Sequence, residues 1–199
     1  NSILMTGIVF VDNERVEKPG QLVSQNLKIE IKGKTFPWVS RGGIKLDKAI
    51  LEFNLDCNSI TALDIGASTG GFTDVLLAYG ASKIYAVDVG YGQLDWKLRQ
   101  DERVIVREKT NARYLTDEII RDPLDALVCD ASFISLKKVL PSGLTFLKSH
   151  GWLVALIKPQ FEVGKGLVGK GGVVRDPKLH EVVINDIKKW IEFEIKMNV

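Results

Sequence analysis

The chain has 199 residues, of which 45% are hydrophobic, and a formal net charge of +2. A chain of this length forms one main hydrophobic core, with room for a small additional element. The longest uninterrupted apolar run, residues 152–157, is far shorter than the roughly 20 residues that span a membrane, so we expect no membrane partner. Neither Cys57 nor Cys129 has metal-ligand or CxxC spacing, which predicts a reduced, cytoplasmic protein without a metal site.

Short strand-like runs and turns fill the first part of the chain. Residues 7–11 and 27–31 have the composition of strands, and residues 12–14 and 18–20 between them are rich in turn formers. We therefore predict a small β element, over residues 1–38, that has no room for a core of its own.

A helix is predicted to follow, and with it a second domain from residue 39 to residue 199. Ser40 is a suitable N-cap for this helix. Apolar side chains then recur at helical spacing, at Ile44, Leu46, Ala49, Ile50 and Phe53.

Strand-like and helix-like segments alternate from residue 60 onward. The predicted strands are residues 60–65, 83–89, 104–107, 126–130 and 152–157, and the predicted helices are residues 71–79, 93–100, 116–121, 135–147 and 177–191. Several of the strands are almost wholly apolar, as expected when helices cover both faces of a parallel sheet. The pattern predicts a doubly wound, Rossmann-like α/β domain.

A glycine-rich turn follows the first of these strands, at a place where a ligand can approach the backbone at a helix N-terminus. Its spacing differs from the GxGxxG of dinucleotide enzymes. Asp64, at the end of the strand, would repel a pyrophosphate but suits a positively charged cofactor. The residues assigned to cofactor binding here are Asp64, Gly66, Ala67, Ser68, Thr69, Gly70, Gly71 and Phe72. The alternative is a tight connection without a ligand.

Asp88 ends the second strand, where a carboxylate can accept hydrogen bonds from both ribose hydroxyls of an adenosine. We assign Asn111, which follows the third strand, to the same site. Asp130 ends the fourth strand and Lys158 the fifth, so both should emerge beside the cofactor. Charges that follow apolar strands are costly unless they are paired or used, and a structural salt bridge is the alternative.

The residues around Asp130 disfavour two kinds of enzyme that methylate nucleic-acid bases. Enzymes that methylate amino groups usually have Pro-Pro-aromatic after the aspartate of the fourth strand, whereas this chain has Ala131-Ser132-Phe133. Cytosine C5 enzymes need a thiolate in an active-site loop, but Cys129 lies inside the predicted strand. We interpret Cys129 as a core residue.

These residues resemble the TlyA or haemolysin A family, a branch of the FtsJ-like RNA 2′-O-methyltransferases. The resemblance spans most of residues 39–162. It rests on five motifs, namely VSRGGIKL (39–46), DIGASTGGFT (64–73), AVDVGYGQL (86–94), CDASFISL (129–136) and IKPQFE (157–162).

The resemblance implies an S-adenosylmethionine-dependent enzyme that methylates cytidine 2′-hydroxyls of ribosomal RNA, free or in ribosomal subunits, with a Lys-Asp-Lys-Glu tetrad. Lys45, Asp130 and Lys158 match the first three members, and Glu192 is the nearest match to the fourth. We expect Lys158 to act as the base. Residues 8–33 resemble the end of an S4 RNA-binding domain, which family members carry before the catalytic domain.

Two alternatives belong to other functional classes. A membrane-acting haemolysin is opposed by the lack of a spanning segment or a long cationic amphipathic segment. A non-catalytic RNA-binding or ribosome-assembly factor would retain the fold and bind the cofactor, but would transfer no methyl group.

Overall fold

The structure is a computed structural model that describes residues 9–16, 20–22, 27–31 and 36–196. Its first part is a small antiparallel sheet of β1 (Val9–Val11), β2 (Glu14–Arg15) and β3 (Ile29–Ile31), in the order β2-β1-β3. The turn between β1 and β2 is shorter than predicted, because Glu14 already pairs with Val11. Residues 7–8 of the first predicted strand and residues 18–19 of the second predicted turn lie outside the described residues. The S4-like assignment of residues 1–38 stays a prediction.

The second part is the predicted doubly wound α/β domain. Its strands are β4 (Thr61–Ile65), β5 (Lys83–Val87), β6 (Val104–Arg107), β7 (Leu124–Cys129) and β8 (Leu147–Ala155). Its helices are α1 (Gly42–Phe53), α2 (Gly71–Ala78), α3 (Trp96–Arg99), α4 (Leu136–Leu144), α5 (Pro159–Glu162) and α6 (Pro177–Lys189). All five strands are parallel, in the order β6-β5-β4-β7-β8.

Alternate residues of the central strands pack into two apolar layers. Ala62 of β4 faces a layer that contains Leu46 of α1 and Leu76 of α2. Leu63, its neighbour in the strand, faces a layer that contains Leu140 of α4. Because successive side chains of a strand point to opposite faces, an apolar strand requires helices on both sides of the sheet.

The start of α1 differs from the prediction. Arg41 is the N-cap and makes no side-chain capping bond, whereas the backbone oxygen of Ser40 accepts from the N–H of Gly43 at 3.1 Å. The hydroxyl of Ser40 instead lines a cavity beside the glycine-rich turn. The predicted apolar face is also only partly correct. Leu46 and Ile50 are buried, whereas Ile44 is exposed almost opposite Leu46 on the helix and Phe53 is exposed at the end of the helix.

Four further helix predictions need correction. The helix predicted over residues 135–147 ends at Leu144, and Leu147 already belongs to β8. Residues 116–121 form a single turn, in which the oxygen of Thr116 accepts from two N–H groups, and Pro123 prevents its continuation. The only helix nearby is the 3₁₀ turn Ala112–Tyr114, among the residues that the structure describes. The helix predicted over residues 93–100 begins later, because Asp95 caps the N–H of Lys97. The helix predicted over 177–191 ends at Lys189 and continues as a π-helical segment, Trp190–Ile195.

Replacing Leu127 by alanine tests whether the side chains of the central strands form the core that stabilises the fold. Leu127 is fully buried in β7, so Leu127→Ala should lower the free energy of unfolding by about 2–5 kcal/mol, the usual cost of truncating a buried leucine. Urea denaturation followed by circular dichroism measures the change. Leu51→Ala is the matched control at an exposed position of α1 and should cost less than about 0.5 kcal/mol. Equal losses in the two variants would contradict the assignment of the core.

Candidate active site

Four charged side chains meet at the carboxyl edge of the parallel sheet. Asp64 lies near the end of β4, Asp88 directly follows β5 and Asp130 directly follows β7. Lys158 follows β8 after a short extended segment. The structure therefore brings together the strand-end residues that the sequence singles out, as the parallel order requires.

The glycine-rich turn is held close to the neighbouring backbone on two sides. Gly66 has a φ of 81°, and a Cβ there would lie 2.9 Å from the Cα of Ala131. A Cβ on Gly71 would lie 2.8 Å from the backbone nitrogen of Gly43 in α1. Only glycine fits at both positions, since one needs a left-handed backbone and both need the space.

Two adjoining cavities open beside this turn. The first has a volume of about 650 Å³ and the second of about 510 Å³. They share the lining residues Gly66, Ser68, Asp130 and Ser132.

The predicted cofactor residues divide between these two cavities. Those that line the first are Asp64, Gly66, Ala67, Ser68, Thr69, Gly71, Phe72 and Asp130, and those that line the second include Asp88 and Asn111. Gly70 lines neither cavity. It has a φ of 94° and lies against Leu94 and Leu98, so its part in the turn is conformational.

Asp64 is a buried carboxylate with an unused acceptor. Its Oδ2 accepts hydrogen bonds from the backbone N–H of Thr73 at 3.0 Å and from the Thr73 hydroxyl at 2.7 Å. Its Oδ1 is buried and has no hydrogen-bond partner within the described part of the chain. Burial raises the pKa of Asp64 to about 7, against the effect of the two Thr73 hydrogen bonds, and the charges of Asp130 and Asp88 raise it further. A positively charged ligand would satisfy this oxygen and favour the ionised form.

Asp88 is held between two turns. Its Oδ2 accepts from the N–H of Ser68 at 2.8 Å, and its Oδ1 accepts from the N–H of Gly90 at 2.7 Å. Each carboxylate oxygen has a second lone pair, so the group can still accept from a ligand. The backbone thus orients the carboxylate towards the second cavity, which it lines.

Asp130 lies between two lysines. Lys45 Nζ is 3.0 Å from Oδ2 of Asp130, and Lys158 Nζ is 2.6 Å from Oδ1. Lys158 also donates to the backbone oxygen of Asp130 at 2.9 Å and to the hydroxyl of Ser132 at 2.8 Å. The Lys158 side chain is 18% exposed and that of Lys45 is 49% exposed, so Lys158 is the more enclosed and the more tightly held amine.

Sequence reasoning missed Ser132 as part of this cluster. It stands two residues after Asp130, and its hydroxyl binds Lys158 and lines both cavities. The sequence does show a serine two residues after the strand-end Asp130. Serines are common in such loops, so this position alone does not identify a site residue.

Glu192 does not join the other three predicted tetrad residues. It lies exposed in the π-helical segment Trp190–Ile195 and lines neither cavity. Another glutamate, Glu162 of α5, caps α4 through the N–H of Leu136 at 2.8 Å and the Ser135 hydroxyl at 2.6 Å. It fixes the loop that follows Asp130 and was not singled out from the sequence.

Cys129 is completely buried at the end of β7. Burial raises the pKa of its thiol to about 12, which keeps it protonated. The interpretation of Cys129 as a core residue agrees with this position, because a protonated buried thiol cannot attack a base. Within the described ranges, no three His, Cys, Asp or Glu side chains form a group that could hold a metal ion, and no helix is long and apolar enough to cross a membrane.

Comparison with known proteins identifies the family. The FtsJ-like methyltransferase family matches residues 38–196. The 16S/23S rRNA (cytidine-2′-O)-methyltransferase TlyA of Mycobacterium tuberculosis is 48% identical over 178 residues, which are 89% of this chain and 66% of that protein. Hemolysin A of Brachyspira hyodysenteriae is 43% identical over 98% of this chain and 81% of its own length.

A solved structure is also similar to this chain in both sequence and fold. A Streptococcus thermophilus protein described as a haemolysin has a TM-score of 0.80 and 44% identity, covering 94% of this chain and 69% of that one. This chain thus spans about two thirds of the M. tuberculosis and S. thermophilus proteins. Because the family match covers the whole α/β domain described above, the chain belongs to the FtsJ-like methyltransferase family, a family of S-adenosylmethionine-dependent enzymes.

Proposed function

We propose that this chain transfers a methyl group from S-adenosylmethionine to a ribose 2′-hydroxyl of ribosomal RNA. The observation that carries the proposal is the cluster of Lys45, Asp130 and Lys158 on the wall of the cavity that contains the glycine-rich turn. The M. tuberculosis relative is named for cytidine in ribosomal RNA, and we propose the same target class here. A ribosomal substrate also agrees with the cytoplasmic location expected from the cysteines.

The residues around the two cavities fit the charge of the cofactor. When bound, S-adenosylmethionine supplies a methyl group that is activated by a positively charged sulfur. The unpartnered Oδ1 of Asp64 offers a negative charge in the first cavity. Asp88 offers carboxylate lone pairs to ribose hydroxyls in the second cavity, which Asn111 also lines. Asp64 and Asp88, which form no ion pair among the described residues, suit a cation and oppose a pyrophosphate.

The cluster of Lys45, Asp130 and Lys158 provides proton transfer and alignment. A 2′-hydroxyl is a weak nucleophile, so the protein has to orient it and accept its proton as the new bond forms. We assign the proton acceptor to the neutral amine of Lys158. The three acceptors around Nζ, namely Asp130 Oδ1, the Asp130 backbone oxygen and the Ser132 hydroxyl, stabilise the ammonium that forms when this amine takes the 2′-proton. Lys45 binds the second oxygen of Asp130 and so keeps that carboxylate in place.

One observation favours a second candidate. Glu192 lines neither cavity, so only three of the four predicted tetrad positions meet in the described structure. A non-catalytic RNA-binding or ribosome-assembly factor that retains the fold would show such a site. It would bind S-adenosylmethionine and transfer no methyl group to any RNA.

Methyl transfer from labelled S-adenosylmethionine to ribosomal subunits, followed by mapping of the modified nucleotide, tests the function. We expect a 2′-O-methyl group on ribosomal RNA with the wild-type chain. Lys158→Ala should lower the rate by about 100- to 10,000-fold, the usual contribution of a general base, and should leave cofactor affinity nearly unchanged. Lys158→Arg should be equally slow, because a guanidinium stays protonated.

Lys48→Ala, which removes an exposed lysine of α1, is the control for these variants and should transfer methyl groups at the wild-type rate. Wild-type rates in Lys158→Ala would refute the assignment of the base. Cofactor binding without transfer to any RNA by the wild-type chain would favour the non-catalytic candidate.

Asp88→Ala should weaken the binding of S-adenosylmethionine by about 1.5–3 kcal/mol, the usual range for hydrogen bonds to a charged group. Isothermal titration calorimetry measures the loss. Asp117→Ala removes an exposed carboxylate that lines neither cavity and should bind as tightly as the wild type. An unchanged affinity in a folded Asp88→Ala variant would remove Asp88 from the cofactor site.

The pKa of Asp64 predicts that cofactor affinity depends on pH. With a pKa of about 7, the buried carboxyl is mostly neutral below pH 7 and mostly charged above it. Affinity for a cationic cofactor should rise as the pH increases through this value and then level off, with proton release on binding at the lower pH. Calorimetry in buffers of different ionisation enthalpy measures both effects. Asp64→Asn keeps an acceptor for Thr73 and should show neither.

The raised pKa of Asp64 also makes the stability of the cofactor-free chain depend on pH. This stability should fall as the pH rises, whereas cofactor affinity should increase. Between the ordinary pKa of 3.8 and the folded-state pKa of about 7, the folded chain binds more protons at Asp64 than the unfolded chain. The contribution of Asp64 to the free energy of unfolding therefore falls as the pH rises across this interval. A stability profile that is identical in the wild type and Asp64→Asn would contradict the raised pKa.

A further inference from the structure

Two exposed tyrosines at the carboxyl edge of the sheet each hold a cation against the ring. Lys109 Nζ lies 4.4 Å from the ring centroid of Tyr91, and Arg113 Cζ lies 5.2 Å from that of Tyr114. Both rings are largely in solvent, with 72% of Tyr91 and 63% of Tyr114 exposed. We call these four residues the tyrosine patch. Nothing in the proposed methyl transfer uses them.

The backbone fixes the tyrosine patch next to the cofactor cavities. The N–H of Lys109 donates to the oxygen of Gly90 at 2.9 Å, which ties the loop after β6 to the loop after β5 that carries Tyr91. Asn111 then caps the 3₁₀ turn Ala112–Tyr114 by accepting from the N–H of Arg113 at 3.1 Å. Arg113 itself lines the second cavity. The patch is therefore a preformed surface at the rim of the site.

The two cations of the patch remain available to an anion. In the part of the chain that the structure describes, neither Lys109 nor Arg113 forms an ion pair. The acid beside Lys109 in the chain, Glu108, is paired with Arg99 at 2.6 Å. A cation on one face of each ring leaves the rest of the exposed ring free for a flat ligand.

Exposed aromatic rings beside cations that form no ion pair suit the binding of single-stranded nucleic acid. Its bases stack on aromatic side chains, while its phosphates are bound by lysine and arginine. A duplex keeps its bases stacked inside, so it cannot use the rings in this way. The chemistry of the patch thus matches a single strand better than a helix.

We propose that the tyrosine patch binds unpaired nucleotides of the RNA substrate outside the target nucleotide. Tyr91 and Tyr114 stack on bases, and Lys109 and Arg113 bind the adjacent phosphates. This inference rests on the proposed function, because it assumes an RNA substrate, and it adds a binding surface that is separate from the cluster of Lys45, Asp130 and Lys158.

Fluorescence anisotropy with a short, unstructured, pyrimidine-rich RNA and with a duplex of the same length tests the proposal. Tyr91→Ala and Tyr114→Ala should each weaken binding of the single strand by about tenfold, as expected for the loss of one stacked base, and should barely affect the duplex. Tyr91→Phe should bind like the wild type, because the ring is retained. Phe53→Ala is the control, since it removes an equally exposed ring from α1.

Lys109→Asn tests the phosphate contact. Lys109 has a φ of 52°, a conformation that asparagine tolerates, so the loop should keep its shape. The variant should reduce the slope of log affinity against log salt concentration for the single strand by about 0.7, the value for one phosphate contact. An unchanged slope would overturn this contact.

Binding of ribosomal subunits and methyl transfer to them, measured with the wild type and with the double variant Tyr91→Ala/Tyr114→Ala, separate this proposal from the proposed function. If the wild type transfers methyl groups and Tyr91→Ala/Tyr114→Ala binds the single strand as tightly as the wild type, the patch proposal fails and the proposed function stands. If the double variant loses the single strand but the wild type transfers no methyl group, the patch stands and the proposed function fails. Loss of subunit binding with unchanged binding of the oligonucleotide would assign the patch to a protein partner and overturn the proposal.

Discussion

The parallel register of β4 with its two neighbours positions the strand-end aspartates of the candidate site. Ile65, the last residue of β4, is level with Val87 of β5 on one side and with Cys129 of β7 on the other. Asp88 and Asp130 each come one residue later, so both carboxylates leave the sheet at the same height on either side of Gly66. A shift of one residue in either pairing would turn a carboxylate to the wrong face, because side chains alternate along a strand.

Two carboxylates at this edge of the sheet, Asp130 and Asp64, differ in whether a positive charge lies beside them. Asp130 has two lysines within 3.0 Å and is compensated inside the chain. Asp64 is buried with only Thr73 as a hydrogen-bond donor, and its raised pKa reflects a charge without a counterion in the described residues. A cationic cofactor would supply the partner that Asp64 Oδ1 lacks and would favour the ionised carboxylate. Cofactor binding and the protonation of Asp64 should therefore be linked. The same edge thus holds one carboxylate that is paired within the chain and one whose second oxygen has no partner in the described residues.

The helix before the sheet closes the site from the other side. α1 packs directly on α2, because Gly43 and Gly71 let the two backbones approach. This contact carries Lys45 to Asp130, 85 positions further along the chain. The tyrosine patch lies at the rim formed by the loops after β5 and β6. The groups proposed for catalysis and those proposed for RNA binding lie on different elements and thereby meet at one edge of the sheet.

The sequence by itself determined the type of fold and the positions of the aspartates and Lys158 at the strand ends, because apolar periodicity and glycine-rich turns are local signals. Lys45 was indicated only by the family resemblance. The sequence did not determine where short helices begin and end. The Asp95 cap sets the start of α3, and Pro123 prevents a helix from continuing after the turn at residues 116–121. Only the tertiary structure showed that Ser132 binds Lys158 and that Glu162 caps α4. It likewise placed Glu192 outside both cavities. These are contacts between residues distant in the chain or choices among equivalent polar side chains, and local patterns carry no information about which of them meet.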